Sequence, residues 1–238
     1  MIRTFIVVVF LALYIVLLGP PFILHCILTG SPELLYAVGI RAARWALRLG
    51  GVRVRARGLE NIPAGVCVFV ANHISNIDPP AVAGAIPRRV ALLAKKEVFR
   101  VPVLAQALRR AHFVPVDRGQ REAAQASVDE ALAHLRAGVS YLVFPEGTRS
   151  PDGRLRPFKK GSFLMAIRGG VPVVPVAVIG AHRLMGKGSA ALRAGDVEVR
   201  FGPAVDGSKY SEERRGELAA AIQDAVAAML PDDQRPAK

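Results

Sequence analysis

Between Thr4 and Gly30 the chain carries no Asp, Glu, Lys or Arg, and most of its residues are Ile, Val, Leu or Phe. Water solvates such a stretch poorly, so it must end in protein or in lipid. Phe5 to Leu18 is apolar throughout, Gly19-Pro20-Pro21 interrupts, and Phe22 to Leu28 resumes. A bilayer span takes about 20 apolar residues. The first run alone is too short, and the whole segment is long enough with a kink at the prolines. A cleaved signal peptide is the rival reading. No small-x-small cleavage site follows, and Ile23-Leu24-His25-Cys26 is not a lipoprotein-like site. The expectation is a retained membrane segment.

The net charge of +13 is unevenly spread. Residues 1–57 hold seven arginines against the single acid Glu33, giving +6. Positive charge directly after an apolar segment fits an anionic membrane surface better than nucleic acid, since each Lys or Arg near such a leaflet contributes roughly 1 kcal/mol. An aromatic content of 6% offers few platforms for stacking bases, and no nucleic-acid motif is present. Glu33 to Gly50 reads as a helix opened by Ser31-Pro32, with Arg41, Arg44 and Arg48 on one face and placed to meet lipid phosphates. If the first segment spans, the arginine excess after it puts the following domain on the cytoplasmic side of the plasma or inner membrane. Cys26 and Cys67 belong to no metal-ligand or redox pattern, and no metal or cofactor is expected.

Downstream, Val52 to Gly58 alternates with arginines on one side, the period-two signature of a strand with a wet basic face. Apolar runs at Val66 to Ala71, Val90 to Ala94, Phe113 to Val116, Tyr141 to Phe144, Val173 to Ile179 and Val197 to Phe201 read as further strands. Helices are expected over Arg121 to Arg136, Gly161 to Arg168 and Ser211 to Leu230. Strands alternating with helices predict an α/β fold, a mostly parallel or mixed central sheet with helices on both faces, behind the N-terminal membrane-associated helical segment. The expected organisation is an anchor over 1–50, a catalytic domain over 51–230 and a frayed tail over 231–238.

His73 directly follows the Val66 to Ala71 strand, at the strand end where open α/β sheets form ligand crevices. Asp78 stands before Pro79-Pro80 and can act as a helix N-cap. The two together support another role. An alcohol attacks only as its proton leaves, and a neutral imidazole takes that proton for a gain of about 10² to 10⁴ in rate. A carboxylate on the other ring nitrogen fixes the tautomer. A turn between strand and helix can fold Asp78 back onto His73. No Gly-x-Ser-x-Gly elbow supplies a serine nucleophile, and Gly186-Lys187-Gly188-Ser189 lacks the spacing of a phosphate loop. The segment Phe144-Pro145-Glu146-Gly147-Thr148-Arg149-Ser150 follows another strand. Gly147 there admits close backbone approach, Arg149 can grip a phosphate, Thr148 and Ser150 add hydroxyl donors, and Glu146 can orient an arginine or bind a substrate hydroxyl. Arg118 follows a third strand, and Lys159-Lys160 precede a helix start.

Taken in order, these blocks resemble the glycerolipid acyltransferase family, in particular its 1-acyl-glycerol-3-phosphate branch. Asn72, His73 and Asp78 match Asn-His-x4-Asp; Phe113 and Asp117-Arg118-Gly119 match the second block; Phe144 to Ser150 matches Phe-Pro-Glu-Gly-Thr-Arg-Ser; Val171 to Val176 matches a Val-Pro-rich strand. The second block departs from the family in having Ala111-His112 before Phe113. The resemblance implies that His73, oriented by Asp78, deprotonates the free hydroxyl of a lysophospholipid as it attacks the thioester of acyl-CoA or acyl carrier protein. It further implies that Arg118, Glu146, Gly147, Thr148 and Arg149 hold the glycerol phosphate, that the strand containing Val174 and Pro175 shapes the apolar part of the site, and that residues 4–50 form a helical pair docked on one leaflet. Glycerol 3-phosphate or a lyso-aminolipid are alternative acceptors, and a non-catalytic anionic-lipid-binding membrane protein is the alternative from another class.

Overall fold

The β-branched runs form the strands they predict, because a side chain branched at Cβ packs well on a pleated surface buried from both sides. In a computed structural model that describes residues 1–117 and 121–236, the strands are β1 (Val52–Arg57), β2 (Val68–Ala71), β3 (Val90–Lys95), β4 (Val114–Val116), β5 (Ser140–Val143), β6 (Pro172–Ile179), β7 (Gly195–Phe201) and the short β8 (Val205–Asp206). They join in the order β1-β7-β6-β2-β5-β3-β4, with β8 paired to β6. All neighbours run parallel except β6 with β7 and β6 with β8. The expected mixed, mostly parallel sheet is therefore the one observed.

Successive residues of β2 face opposite sides. Phe69 and Ala71 join a core with Leu47, Ala81, Val82, Ile86 and Leu184, while Val68 and Val70 join one with Leu132, Leu135, Met165, Leu218 and Ile222. Helices α2 (Glu33–Leu49), α3 (Asp78–Ala85) and α7 (Ala181–Met185) thus cover one face. Helices α5 (Arg121–Arg136), α6 (Leu164–Gly169) and α8 (Arg215–Met229) cover the other. Helix α8 starts four residues later than its acidic Glu212-Glu213 pair suggests, because Glu212 pairs with Arg168 instead of capping the helix. The basic side of β1 is not bare: parallel pairing with β7 sets Arg53 and Arg57 against Asp196 and Glu198 at 2.8 and 2.9 Å.

The N-terminal segment forms α1 (Ile2–Thr29), a helix that continues through Pro20 and Pro21, so the expected interruption there is absent. It is long and apolar enough to cross a membrane, yet one side lies along the protein. The Thr4 hydroxyl donates to Ala190 O and accepts from Leu192 N, both at 2.9 Å, and Tyr14 OH donates to Val38 O at 3.1 Å. At Gly19 an added Cβ would meet Val103 at 2.4 Å, so only glycine admits this approach of α1 to α4 (Pro102–Arg110). From Thr4 to Gly19 the helix thus stays in contact with the domain over about 22 Å. Its other side exposes Phe5, Val9, Leu13, Val16, Leu17 and Leu24.

On α2, Trp45 is 52% exposed, with the Arg48 guanidinium over its ring. Arg44 is exposed like Arg41 and Arg48, but its guanidinium is engaged. It donates twice to Gly84 O, at 3.0 and 2.7 Å, holding the last turn of α3, where a cation is favoured by the helix dipole. The C-terminus also departs from its expectation, since residues 231–236 are docked instead of frayed. Gln234 is buried, accepts from Gly180 N at 2.9 Å, donates to Val178 O, and its carbonyl accepts from Leu155 N.

Candidate active site

The centre of the site is the turn from β2 into α3. Asn72 ends the strand, and its side chain continues the ladder across to β6, donating to Val178 O at 3.0 Å and accepting from Val178 N at 2.7 Å. Its amide is consumed in fixing the strand end, so it is a structural brace for the residue after it. That residue is His73, 9% exposed. The chain then turns, and Pro79 and Pro80 start the helix with Ile77 in the N-cap position. Asp78 is the first helical residue and not the N-cap. Its fully buried carboxylate points back into the turn, where one oxygen, Oδ2, receives Ile74 N, Ser75 N and His73 Nδ1 at 2.7, 2.7 and 2.8 Å. Three donors on a single oxygen suit an anion, which puts the ring proton on Nδ1 and leaves Nε2 as the basic nitrogen. Complete burial still pushes the Asp78 carboxyl above the usual carboxylate range, with the His73 ring and the Ser75 and Ile74 amides pulling against it.

The Phe144–Ser150 segment, at the end of β5 beside β2, closes on the same histidine. The Phe144 ring lies 4.5 Å from the imidazole, centroid to centroid, tilted by 33°. The His73 amide donates to Glu146 Oε1 at 2.8 Å, and its carbonyl accepts from Ser150 N at 2.8 Å. Both main-chain polar groups of His73 are thereby held by one turn more than 70 residues downstream. Glu146 is 4% exposed and, among the described residues, forms no ion pair with Arg149. Burial lifts the Glu146 carboxyl to about 8, against the pull of the His73 amide; the Asp78 charge adds to the rise and Arg156 opposes it.

The other candidates fall into three groups. Gly147 has a positive φ of 74°, and an added Cβ would lie 2.8 Å from Lys159 Nζ, so the missing side chain is the seat of a lysine. Thr148 and Arg149 are half-buried beside it, and Arg149 has no carboxylate within ion-pair distance among the described residues. Ser150 is removed from the expected donor set, since its buried hydroxyl donates to Asp152. Val174 and Pro175 are buried within β6, inside the sheet, and line neither of the two cavities nearest the β2–α3 turn. Arg118 lies outside the described residues.

Two cavities flank the turn. One of about 540 Å³ is bounded by Phe144 and Gly147, with Lys159, Lys160 and Arg215 among its polar lining. The other, of about 380 Å³, is almost wholly apolar and runs between α1, α2 and α4 to Asn76, Ile77 and Pro80, immediately behind the Asp78 turn. Among the described residues no group of three or more His, Cys, Asp or Glu is placed to hold a metal ion. Cys67 is buried and its thiol is pushed up to about 11 by burial, which leaves it unreactive.

A family model described as Acyltransferase matches residues 53–179, from β1 to the end of β6. The chain belongs to this acyltransferase family. A protein named 1-acyl-sn-glycerol-3-phosphate acyltransferase from Limnanthes douglasii is 33% identical to this acyltransferase over 187 residues, covering 78% of this chain and 66% of the relative. A Pseudomonas aeruginosa protein of the same name is 31% identical over 204 residues, covering 82% and 77%. The chain matches only 49% of a third relative, the chloroplastic BAT2 of Brassica napus. The crystal structure of the 1-acyl-sn-glycerophosphate (LPA) acyltransferase PlsC from Thermotoga maritima superposes with a TM-score of 0.81 at 31% identity, over 94% of this chain and 92% of that one.

Proposed function

We propose that this acyltransferase moves a fatty acyl group from a thioester, acyl-CoA or acyl carrier protein, to the free hydroxyl of 1-acyl-glycerol-3-phosphate, giving phosphatidic acid. The observation that carries the reading is the His73–Asp78 pair, 2.8 Å apart at the C-terminal end of a central strand. The names of the relatives supply the acceptor class.

In the step itself, His73 Nε2 accepts the hydroxyl proton while the oxygen attacks the thioester carbonyl carbon. The imidazolium that forms is held by Asp78 through Nδ1. Collapse of the tetrahedral adduct breaks the C–S bond, and the leaving thiolate takes the proton back from His73. No covalent acyl-enzyme is required, so neither buried cysteine has a role. Arg149, half-buried and without a counter-ion among the described residues, is assigned to the acceptor phosphate together with Thr148 and the Gly147 backbone. Arg118 is assigned to the same phosphate by its motif alone. The apolar cavity between α1, α2 and α4 gives an acyl chain a route from lipid to the Asp78 turn.

The helical pair α1–α2 belongs in one leaflet. A helix attached to the domain along about 22 Å of its length cannot also traverse the hydrocarbon core. Its exposed side, with Trp45 and the Arg41 and Arg48 charges on α2, suits burial at the headgroup boundary. The arginine excess of residues 1–57 assigns that leaflet to the cytoplasmic face.

The test is acyl transfer by membranes containing the protein, with an acyl-CoA and a panel of lysophosphatidate, glycerol 3-phosphate and a lyso-aminolipid. Phosphatidic acid formation by the wild type and its loss in His73→Ala support the reading. Equal turnover by His73→Ala contradicts the mechanism, and product only with another acceptor contradicts the substrate.

A further inference from the structure

The Glu146 carboxylate belongs to a motif read as a phosphate-binding element, but it is buried against the main chain of the base. Oε1 is engaged by the His73 amide at 2.8 Å, the side chain is buried, and Oε2 is enclosed without a hydrogen-bond partner. The same turn returns Ser150 N to His73 O at 2.8 Å and lays the Phe144 ring on the imidazole. Asp78 fixes the ring and says nothing about where the backbone stands. A hydrogen bond at each main-chain polar group of His73 fixes that second coordinate.

We infer that Glu146 is a positioning residue, which holds the main chain of His73 so that its imidazole meets the substrate hydroxyl, and that it is not a ligand of the acceptor phosphate. The inference rests on the acyl-transfer reading of the site. The charged and titratable groups facing Glu146 are His73 and Asp78 from the β2–α3 turn and Arg156 from the segment after the motif. Arg156 forms no ion pair with it among the described residues, while Asp78 already carries the negative charge of the site. Two carboxylates around one histidine repel, and the less compensated one takes the proton. Glu146 therefore works as the neutral acid: Oε1 accepts from the His73 amide and the proton stays on Oε2. A glutamine reproduces that arrangement, with its carbonyl in place of Oε1 and its amide in place of the protonated Oε2. An anionic ligand for a substrate hydroxyl, or for an arginine that holds the phosphate, has no such substitute.

The experiment measures kcat, acceptor KM and the pH profile of the full chain in detergent micelles, with lysophosphatidate and an acyl-CoA, for the wild type, Glu146→Gln and Glu146→Ala. Wild-type turnover is established first, because its absence contradicts the acyl-transfer reading and not the role of Glu146. Displacement of a catalytic group by an ångström costs on the order of 10² in rate, so Glu146→Ala is expected to lose about that factor in kcat with acceptor KM little changed. Glu146→Gln is expected to keep kcat within a few-fold and to hold its rate above the pH, about 8, at which the wild type declines. A tenfold or larger rise in acceptor KM at unchanged kcat, in either variant, overturns the inference. A Glu146→Gln that falls as far as Glu146→Ala with an unchanged pH profile overturns it as well. Should Glu146→Ala not fold, the rate and profile of Glu146→Gln decide the matter alone.

Discussion

Replacing Asp78 by Asn keeps the shape of the side chain and removes its charge. The single oxygen that receives Ile74 N, Ser75 N and His73 Nδ1 is then the Asn carbonyl, and its NH2 takes the place of the unpartnered Oδ1. The ring proton stays on Nδ1, but the imidazolium formed in the step has no anion beside it. Steady-state kinetics are expected to show kcat down by about 10² to 10⁴ with acceptor KM near the wild-type value. Glu146 makes a prediction about stability instead. Its carboxyl rises from 4.5 in the unfolded chain to about 8 in the folded one, so the folded state binds the extra proton between those values. The contribution is fully present below about pH 4.5 and is lost as pH climbs towards 8. Thermal melts of the wild type are expected to fall across pH 5 to 8 relative to Glu146→Gln, which has nothing to titrate there; parallel curves contradict it. Which residues would meet was partly legible from the chain. A base and its orienter five residues apart at a strand end are local, and the turn brings them together. The hold of Glu146 and Ser150 on His73 spans more than 70 residues, and no spacing rule in the chain announces it.

Among the elements, the legible ones are those whose pattern agrees with their packing. The strands buried on both faces read as β-branched runs, and α5 is followed, two residues past Arg136, by Gly138 with φ 97°, as a helix-terminating glycine should be. Helix α4 escapes because its order depends on a remote partner: Val103, Leu104 and Ala107 face the cavity beneath α1. The C-terminal tail escapes for the same reason, its one buried glutamine being worth nothing without Val178 and Gly180 across from it. Asn72 is the brace between β2 and β6, and Asn72→Ala leaves the buried Val178 N–H without its acceptor, while Val178 O keeps Gln234. The loss expected in a chemical or thermal unfolding measurement is about 1–3 kcal/mol. On α1, Leu17 is 66% exposed and touches lipid in this account. Leu17→Asp is expected to weaken membrane partitioning by about 1–3 kcal/mol, roughly 5- to 150-fold, while leaving the unfolding midpoint in detergent unchanged. Unaltered flotation with liposomes contradicts the assignment of that side to the bilayer.

The whole molecule is an amphiphile whose reacting centre lies next to its apolar side. The cavity beneath α1 ends at the Asp78 turn, and the cavity carrying Lys159, Lys160 and Arg215 opens beside Phe144, whose ring lies on His73. In the proposed reading a lysophospholipid lies with its tail on the lipid side and its phosphate towards Arg149, its free hydroxyl falling between them at the imidazole. Apolar burial of this kind is insensitive to salt, whereas arginine contacts with headgroups are screened within a Debye length. High salt is therefore expected to leave the protein on membranes and detergent to release it. The central claim is that a histidine base drives acyl transfer to lysophosphatidate at that meeting point. The direct measurement is single-turnover formation of phosphatidic acid from radiolabelled acyl-CoA by the purified wild type and by His73→Ala. Loss of at least about 10² in rate, with lysophosphatidate binding retained, is the predicted result, and a variant that turns over at the wild-type rate contradicts the account.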